Sequence, residues 1–372
     1  MTLTLTALDP DRRRRGQFKK AGVASAIFRD ADVGTWLINV PHDDLAKQMR
    51  DGWRLLLRDG KTRMSGPITE VSPELDDGTV DISGVSDLIH VADRLVYPDP
   101  TRAGDQQTAA AYFKRTGPAA EVIDNMVYRN AMKGAIPDRR VSGLTMAVKS
   151  GGGLGSKVSA NLRFKNLLES SRALARLGGV TFDAVQESGS TDIIFRFYVP
   201  RDRTKWVRFS DGNGGVSGGR YTLAAPTATN VLVAGQGEGA DRTVIERSRA
   251  STWGRRIEIF KDQRDTDDAA ELEQSAVEQL DEGMAGATAS FDVNEAKGFV
   301  FGEDYRLGDT VAVEVGGIII HEPVREVELE WDGFGRTASV VLGDHDQADD
   351  KTEAWVKKYR ELDARLRGVE TI

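Results

Sequence analysis

The chain has 372 residues, of which 40% are hydrophobic and 29% charged, and this length is enough for two or three folded domains. It contains no cysteine, which excludes disulfides, thiolate metal sites and cysteine nucleophiles and favours folding in a reducing cytoplasm. A net charge of −8 argues against a surface that grips nucleic acid, and we expect neither a membrane span nor a signal peptide because no such pattern is present.

Residues 1–97 have the pattern of a small β-domain. Short apolar strands alternate with Gly and Asp turns at intervals of about 8–12 residues, which is typical of a sandwich or barrel. The predicted strands are 26–28, 35–40, 53–57, 66–71 and 79–83. The tryptophans that fit strand patterns as core residues, here and further along the chain, are Trp36, Trp53, Trp206 and Trp331.

Residues 98–205 change to an α+β pattern. A helix is predicted after Gly117-Pro118, because apolar residues from 122 to 127 fall on one face. A second helical stripe begins at Phe164 and is predicted to stop at Gly178-Gly179, with strands following at 180–182 and 192–199.

Residues 206–345 return to a β pattern, interrupted by one helix at about 266–283. The fold class predicted for the whole chain is therefore mainly β, with two barrel or sandwich domains and an α+β insert between them. Residues 346–372 form a predicted helical extension with an apolar stripe of Trp355, Tyr359, Leu362 and Leu366. Such a stripe needs an apolar cover, either on its own domain or on a partner chain, and we favour the partner.

The glycines of NVLVAGQGEGADRTVIERS, residues 230–248, raise the question of a nucleotide site, because an apolar strand leads into them. A dinucleotide site needs G-x-G-x-x-G followed by a helix. Here Gly235, Gly237 and Gly239 have the spacing G-x-G-x-G, and the residues after them are β-branched. We predict a hairpin of strands 231–234 and 243–247 within the second β-domain, and no cofactor.

An internal repeat relates the two β-rich parts of the chain. LLLRDGKTRMSGPITEVSPELDDG begins at Leu55, and VAVEVGGIIIHEPVREVELEWDG begins 256 positions later at Val311. The matched positions are Gly60 and Gly316, Pro67 and Pro323, Ile68 and Val324, Glu70 and Glu326, Val71 and Val327, and Asp76 and Asp332. Either one domain was duplicated, or two sets of β-hairpins are similar by chance. If the duplication is real, three chains can imitate a ring of six members.

Charged clusters provide the remaining candidate sites. The basic run Arg12, Arg13, Arg14 and Arg15 either contacts DNA phosphates or an acidic partner, or is a solvated loop. The acidic residues at 344–350 lack the Gly and Glu spacing of a calcium-binding loop, so we interpret them as a solvated linker. The four histidines are isolated and no nucleophile elbow is present, so we predict no catalytic, metal or cofactor site.

Six segments, taken in order, resemble the Gp37-like minor tail proteins of siphophages, especially those that infect actinobacteria. The segments are DVGTWLINVP, SGPITEV, VRFSDGNG, APTATNVLVAGQGEGADRTVIER, WGRRIEIFKDQRDTDD and YRLGDTVAVEV. The resemblance extends from about residue 5 to about residue 345.

The resemblance implies a non-enzymatic virion protein, the hub at the tail tip, similar to the hubs of contractile-tail baseplates. Such hubs form homotrimers in which each chain adds two tube-like β-barrels, here 1–97 and 206–345, to a pseudo-sixfold ring, with the 98–205 insert outside it. The implied partners are the distal tail protein, the tape measure protein and other minor tail proteins. DNA would pass through the channel without specific binding, and the negative charge suits that passage.

Two alternatives stay open at this point. A tail-tip cell-wall hydrolase would need a cleft with paired carboxylates or a metal. A receptor- or carbohydrate-binding tip module would need exposed aromatic side chains in a shallow groove.

Overall fold

The computed structural model describes residues 3–343, apart from 20, 75, 77, 148–151, 211, 213, 214, 285, 294, 296, 297 and 316. The helical extension predicted for 346–372 lies outside the described residues. Among the described residues, no helix combines the length and the apolar character needed to cross a membrane.

The first part of the chain is built from strands, as its alternating pattern predicts. They are β1 (Thr4–Leu8), β2 (Arg14–Phe18), β3 (Ala24–Arg29), β4 (Thr35–Pro41), β5 (Arg54–Asp59), β6 (Thr62–Pro73) and β7 (Thr79–Val85). In β4 and β7 every second side chain is buried, so one face of each strand packs on the core.

An α+β insert follows, and its first helix lies before residue 98, where the insert is predicted to begin. Its elements are α1 (Ile89–Ala92), β8 (Phe113–Pro118), α2 (Ala119–Ala131), β9 (Leu144–Met146), β10 (Lys157–Leu162), α3 (Leu167–Gly178), β11 (Thr181–Gln186) and β12 (Ile193–Tyr198). Helix α3 starts where the Asn166 side chain accepts hydrogen bonds from the Leu168 and Glu169 amides. It ends at Gly179, whose φ of 65° suits glycine. The insert has its own hydrophobic core, centred on α2 and α3.

The last part returns to strands. They are β13 (Arg208–Ser210), β14 (Val216–Ala224), β15 (Asn230–Ala234), β16 (Val244–Ser248), β17 (Glu258–Asp262), then helix α4 (Ala269–Glu282), and β18 (Gly286–Val293), β19 (Thr310–Val315), β20 (Ile318–Asp332) and β21 (Gly335–Leu342). Helix α4 agrees with the helix predicted at about 266–283.

One large sheet joins the first and last parts of the chain. Its strand order is β14-β18-β21-β20-β3-β4-β7-β6-β5-β1-β2, and β19, which pairs with β20, and β13 complete its 13 strands. A single hydrophobic core lies under this sheet and contains residues from both parts, for example Trp36 and Val327. The two β-rich parts are thus continuous in hydrogen bonding and in packing.

The hairpin predicted at 231–247 forms, but not within the large sheet. Strands β15 and β16 pair antiparallel, and β17 joins the other side of β15 to give a separate three-stranded sheet. Helix α4 covers that sheet with Leu272, Ala276 and Leu280, so residues 230–282 have a small core of their own. The apolar residues of β15 are buried against α4, so this hairpin does not pack on the larger core.

Two aromatic residues are placed differently from the prediction. Trp206 is 73% exposed, because the chain turns at Arg203 and it is Val207 and Phe209 that point into the core. Phe164 lies before the start of α3 and is 37% exposed. Trp36 and Trp331 are buried and Trp53 is half-buried, as predicted.

Candidate assembly surface

The internal repeat is present in the structure strand by strand. Strands β5, β6 and β7 begin at residues 54, 62 and 79, and β19, β20 and β21 begin at residues 310, 318 and 335. Each start in the second set is therefore 256 residues after its counterpart. The pairing of β6 with β7 shifts between Ile68 and Glu70, and that of β20 with β21 shifts between Val324 and Glu326, which are the equivalent positions. A bulge at the same position of β6 and β20 favours duplication over chance similarity. The two hairpins are not identical, because Glu70 pairs with Ser83 whereas Glu326 pairs with Val341, a difference of two residues in register.

The equivalence extends to the neighbouring strands. Strand β4 pairs antiparallel with β7, as β18 pairs antiparallel with β21. Beyond them, β3 pairs with β4 as β14 pairs with β18. We call β3-β4-β7-β6-β5 the first unit and β14-β18-β21-β20-β19 the second unit.

The two units meet where β20 of the second unit pairs antiparallel with β3 of the first. The register places Glu326 opposite Arg29, Glu328 opposite Ile27 and Trp331 opposite Ala24. Arg29 Nε donates to Glu326 Oε2 at 2.8 Å, and the amide of Asp30 donates to the Arg325 carbonyl at 2.9 Å. A strand-to-strand ladder with an ion pair therefore fixes the second unit against the first.

The sheet face that points away from the core carries several acidic and polar side chains beside a few apolar ones such as Ile27. Cross-strand pairing puts the residues of this face in rows, one of which contains Asp292, Ser339, Glu328, Ile27 and Thr35. Its carboxylates are Glu70, Asp81, Asp292, Glu328 and Glu330. Burial, followed by the nearby charge of Asp332, raises the pKa of Glu330 above the ordinary range of a glutamate.

The basic residues of the same strands are mostly ion-paired. Arg29 pairs with Glu326, Arg325 with Asp30, and Arg336 with Asp59 and Glu295. Arg220, on the edge strand β14, is exposed. The polar face therefore carries an excess of negative charge and no basic patch among the described residues of β3, β4, β6, β7, β18, β20 and β21.

A buried charged network joins the first unit to the insert. Asp87 has no exposed side-chain surface; it pairs with Arg54 and accepts a hydrogen bond from the Ser65 hydroxyl. The Ser65 oxygen also accepts from the Gln186 amide of β11 at 2.7 Å. Burial raises the pKa of Asp87, while the charge of Arg54 opposes the shift. Burial also lowers the pKa of the neighbouring His90 to about 4, and the charge of Arg54 acts in the same direction.

This network contains a serine, a histidine and an aspartate, but not in the geometry of a hydrolase. A nucleophilic serine donates its proton to histidine, and the aspartate holds the other ring nitrogen. Ser65 donates instead to Asp87, and His90 Nε2 lies 3.2 Å from Arg54 Nη1. Ser65 and Asp87 are also shielded from solvent, so a substrate has no access to them. The arrangement is a structural joint.

The basic run is divided between different contacts. Arg12 adopts a positive φ of 65°, and its Nε donates to the Thr191 carbonyl of the insert at 2.6 Å. Arg15 pairs with Asp9 at 2.7 Å. Arg13 and Arg14 are exposed. The four arginines therefore do not act as one patch, and the partner role predicted for them stays a prediction. The stripe of Trp355, Tyr359, Leu362 and Leu366 lies outside the described residues.

The glycine-rich connection uses its own polar groups internally. Arg242 Nε donates to the Gly235 carbonyl and Nη2 to the Ala234 carbonyl, each at 2.7 Å. A single 3-10 turn, Gly239–Asp241, follows and leads into β16. No helix starts here to receive a phosphate. Among the described residues, no group of three or more His, Asp or Glu side chains could hold a metal ion.

Sequence reasoning found the repeat but missed the polar face and the buried network. The signal for the face was visible in β20, where Glu326, Glu328 and Glu330 alternate with apolar residues. The network had no local signal, because Arg54, Ser65 and Asp87 come from separate elements.

The chain matches the model of the Siphovirus ReqiPepy6 Gp37-like protein family over residues 4–344. The chain belongs to this family. It is thus a member of a family of bacteriophage tail and baseplate structural proteins, as the six sequence segments predict. No curated protein sequence matches it.

Three solved structures share the fold at 12% sequence identity. The 43 kDa tail protein of prophage MuSo2 from Shewanella oneidensis covers 91% of this chain and 97% of its own, with a TM-score of 0.58. A tail protein from Neisseria meningitidis MC58 covers 93% and 98%, with a TM-score of 0.56. The prophage tail protein gp18 from Listeria monocytogenes EGD-e covers 95% and 98%, with a TM-score of 0.54. At this identity the likeness concerns the fold, which agrees with the predicted mainly β class.

Proposed function

We propose that this tail protein is the trimeric hub of the tail tip, which joins a sixfold tail tube to a threefold tip. The observation that carries the proposal is the presence of two similar five-stranded units in one chain, in which β5, β6 and β7 start 256 residues before β19, β20 and β21 and a bulge lies at the equivalent position of β6 and β20. Three such chains supply six equivalent units. The hub therefore matches six subunits on one side while it has threefold symmetry on the other.

The polar face of the large sheet lines the channel in this proposal. The opposite face is already occupied by the hydrophobic core, so the polar face is the one that can border water. The tape measure protein and then DNA pass through this channel, and the carboxylates repel the DNA polyanion so that it does not adhere. A channel lined by arginine and lysine would overturn this part of the proposal.

The remaining parts contact other proteins rather than catalyse a reaction. The insert lies outside the ring, and the distal tail protein, the tape measure protein and other minor tail proteins are the neighbours. The helical extension and the exposed arginines Arg13 and Arg14 are candidate contacts for them. The buried position of the Ser65–Asp87 network supports a non-enzymatic role.

The test combines the mass of the purified protein with the symmetry of the virion. We expect a trimer in solution, measured by analytical ultracentrifugation, and a threefold ring at the tail tip, seen by electron cryomicroscopy with labelled protein. A persistent monomer combined with a labelled density away from the tip would contradict the hub. Clearing of host cell wall by the pure protein in a zymogram would favour the hydrolase instead.

A further inference from the structure

A basic and apolar surface lies on the insert, where the residues after α1 meet those before α3. The Val96 amide donates to the Lys165 carbonyl, and the Phe164 amide donates to the Val96 carbonyl, each at 2.8 Å. Arg94 Nε donates to the Arg139 carbonyl at 3.1 Å, which brings in a third stretch of the chain. We call this surface the insert patch, and its residues are Arg94, Leu95, Arg139, Arg163, Phe164 and Lys165.

The guanidinium groups of Arg94 and Arg139 have no carboxylate partner in the described part of the chain. Both side chains are half-buried, and Arg139 donates instead to the Leu95 carbonyl at 2.5 Å and to the Asn130 side-chain oxygen at 3.3 Å. Burial lowers the pKa of Arg139; the nearby Tyr97 opposes this shift, and the charge of Arg94 adds to it. Two adjacent like charges that are partly removed from water are unfavourable, so a carboxylate between them would stabilise both.

Exposed apolar side chains lie among these charges. Leu95 is 43% exposed and Phe164 is 37% exposed. The rings of Phe164 and Tyr97 pack edge to face with their centroids 5.6 Å apart, and the Arg139 guanidinium lies 3.5 Å from the Tyr97 centroid. Arg163 lies 5.3 Å from the Phe164 centroid. The insert patch can therefore contact a carboxylate and an apolar side chain at the same time.

A run of the opposite character follows the last strand. Residues 344–355 contain five carboxylates and one lysine, and they end at Trp355, the first residue of the predicted apolar stripe. This run lies outside the described residues. It begins directly after Gly343, whose amide donates to the Pro323 carbonyl at 2.9 Å. Twelve residues can extend to about 40 Å, which gives the run a long reach from that point.

We propose that residues 344–355 dock on the insert patch, with their carboxylates against its basic side chains and Trp355 against Leu95 and Phe164. The planar guanidinium groups match carboxylates in two-pronged hydrogen bonds, and partial burial reduces screening by water. The exposed carboxylates Asp93 and Asp138 beside the patch oppose the docking, but they are two against four basic residues. The acidic run and the apolar stripe thus share one binding surface.

A single cysteine in the full chain tests the docking, because the chain contains no native cysteine. The rate at which N-ethylmaleimide labels Ala354→Cys measures how far the run is covered. Each rate is divided by that of a synthetic peptide of residues 344–358 with the same substitutions, which removes local effects on the thiol. We expect a ratio well below one, and a rise of at least about threefold when Arg163→Glu/Lys165→Glu reverses two exposed charges of the patch.

Exchange of charges identifies the contact itself. Asp349→Lys/Asp350→Lys should also raise the ratio, because it places cations against the basic patch. Combining it with Arg163→Glu/Lys165→Glu should restore the low ratio, because the two surfaces are then complementary again. Added NaCl should raise the ratio of the chain without these substitutions, since salt screens the attraction.

Two further variants separate the apolar contact from a general effect of charge. Phe164→Ser should raise the ratio although it changes no charge. Arg255→Glu is the matched control, because Arg255 is exposed in another part of the chain and its reversal should leave the ratio unchanged. A bismaleimide should join Ala354→Cys to Asp138→Cys, next to Arg139. The mass of the product, one chain or more, then identifies the copy that supplies the run.

The outcomes decide the docking without reference to the hub, because the labelling needs no trimer. A low ratio that reversal raises and exchange restores supports the docking, whichever copy supplies the run. A ratio near one means that the run is uncovered and overturns it. A low ratio that neither Arg163→Glu/Lys165→Glu nor Phe164→Ser changes means that the run is covered elsewhere and overturns it equally.

Discussion

Removing the carboxylate of Asp87 should strongly destabilise the joint between the first unit and the insert. Asp87 is fully buried, pairs with Arg54, which is also buried, and accepts from Ser65. Asp87→Ala leaves the guanidinium of Arg54 without its partner in a place that water does not reach. The cost therefore comes mainly from the unpaired charge and less from the loss of one favourable contact.

Breaking a buried ion pair from one side costs about 3–5 kcal/mol. For a cooperative unit of about 150–250 residues, each 1 kcal/mol lowers Tm by about 2–4 °C. We therefore expect Asp87→Ala to lower Tm by about 6–20 °C. The double variant Arg54→Met/Asp87→Leu removes both charges and should recover most of that loss, because apolar residues of similar volume can replace a buried pair.

Differential scanning calorimetry of the three proteins measures this effect. Glu258→Ala is the matched control, because it breaks an ion pair with Arg256 on the exposed face of the small sheet and should leave Tm unchanged. A Tm shift of less than about 2 °C for Asp87→Ala would contradict a costly unpaired charge at Arg54. A double variant as unstable as the single one would contradict it equally.

Three further outcomes follow from the structure. The pKa of His90 is about 4 in the folded state, below its ordinary 6.5, so the unfolded chain binds the proton at a higher pH than the folded chain does. The free energy of unfolding should therefore fall by up to about 3 kcal/mol as the pH drops from 6.5 to 4. In urea titrations His90→Gln should reduce this pH dependence, whereas His321→Gln, at an exposed histidine, should not. Gly84→Ala should cost about 1–3 kcal/mol because a Cβ there would lie 2.2 Å from Trp36, whereas Gly333→Ala meets no atom within 4 Å and should be neutral in the same titrations. Leu272→Ala leaves a cavity in the small core under α4 and should lower the free energy of unfolding by about 2–5 kcal/mol. Amide hydrogen exchange should then become faster in β15 but not in β4, and an equal increase in both strands would contradict a separate core.

The strands of the repeat and the helices of the insert were predictable because their signals are local. Alternating burial in β4 and β7 reproduces the period-two pattern of the sequence. The stop of α3 at Gly178-Gly179 follows from the need for a left-handed residue there. Family membership was likewise contained in the order of six short segments.

The errors have a common physical cause, which is that burial depends on what a residue faces after folding. Trp206 fits a strand pattern but lies in a turn, where the neighbouring Val207 and Phe209 take the inward positions. The 231–247 hairpin forms where it was predicted, yet it packs on α4 and not on the large sheet. The alternation of apolar and polar residues in a strand does not determine which of several apolar surfaces that strand packs against.

The sequence by itself determined the mainly β class, the insert, the 256-residue repeat and the absence of cysteine chemistry, because each is a property of local pattern or composition. Only the tertiary structure decided that β20 pairs with β3, that one face of the joined sheet is acidic, and that Arg54, Ser65 and Asp87 meet in a buried joint. These features bring together residues separated by up to several hundred positions. Their physical basis is strand pairing and charge burial, which depend on proximity in space rather than along the chain.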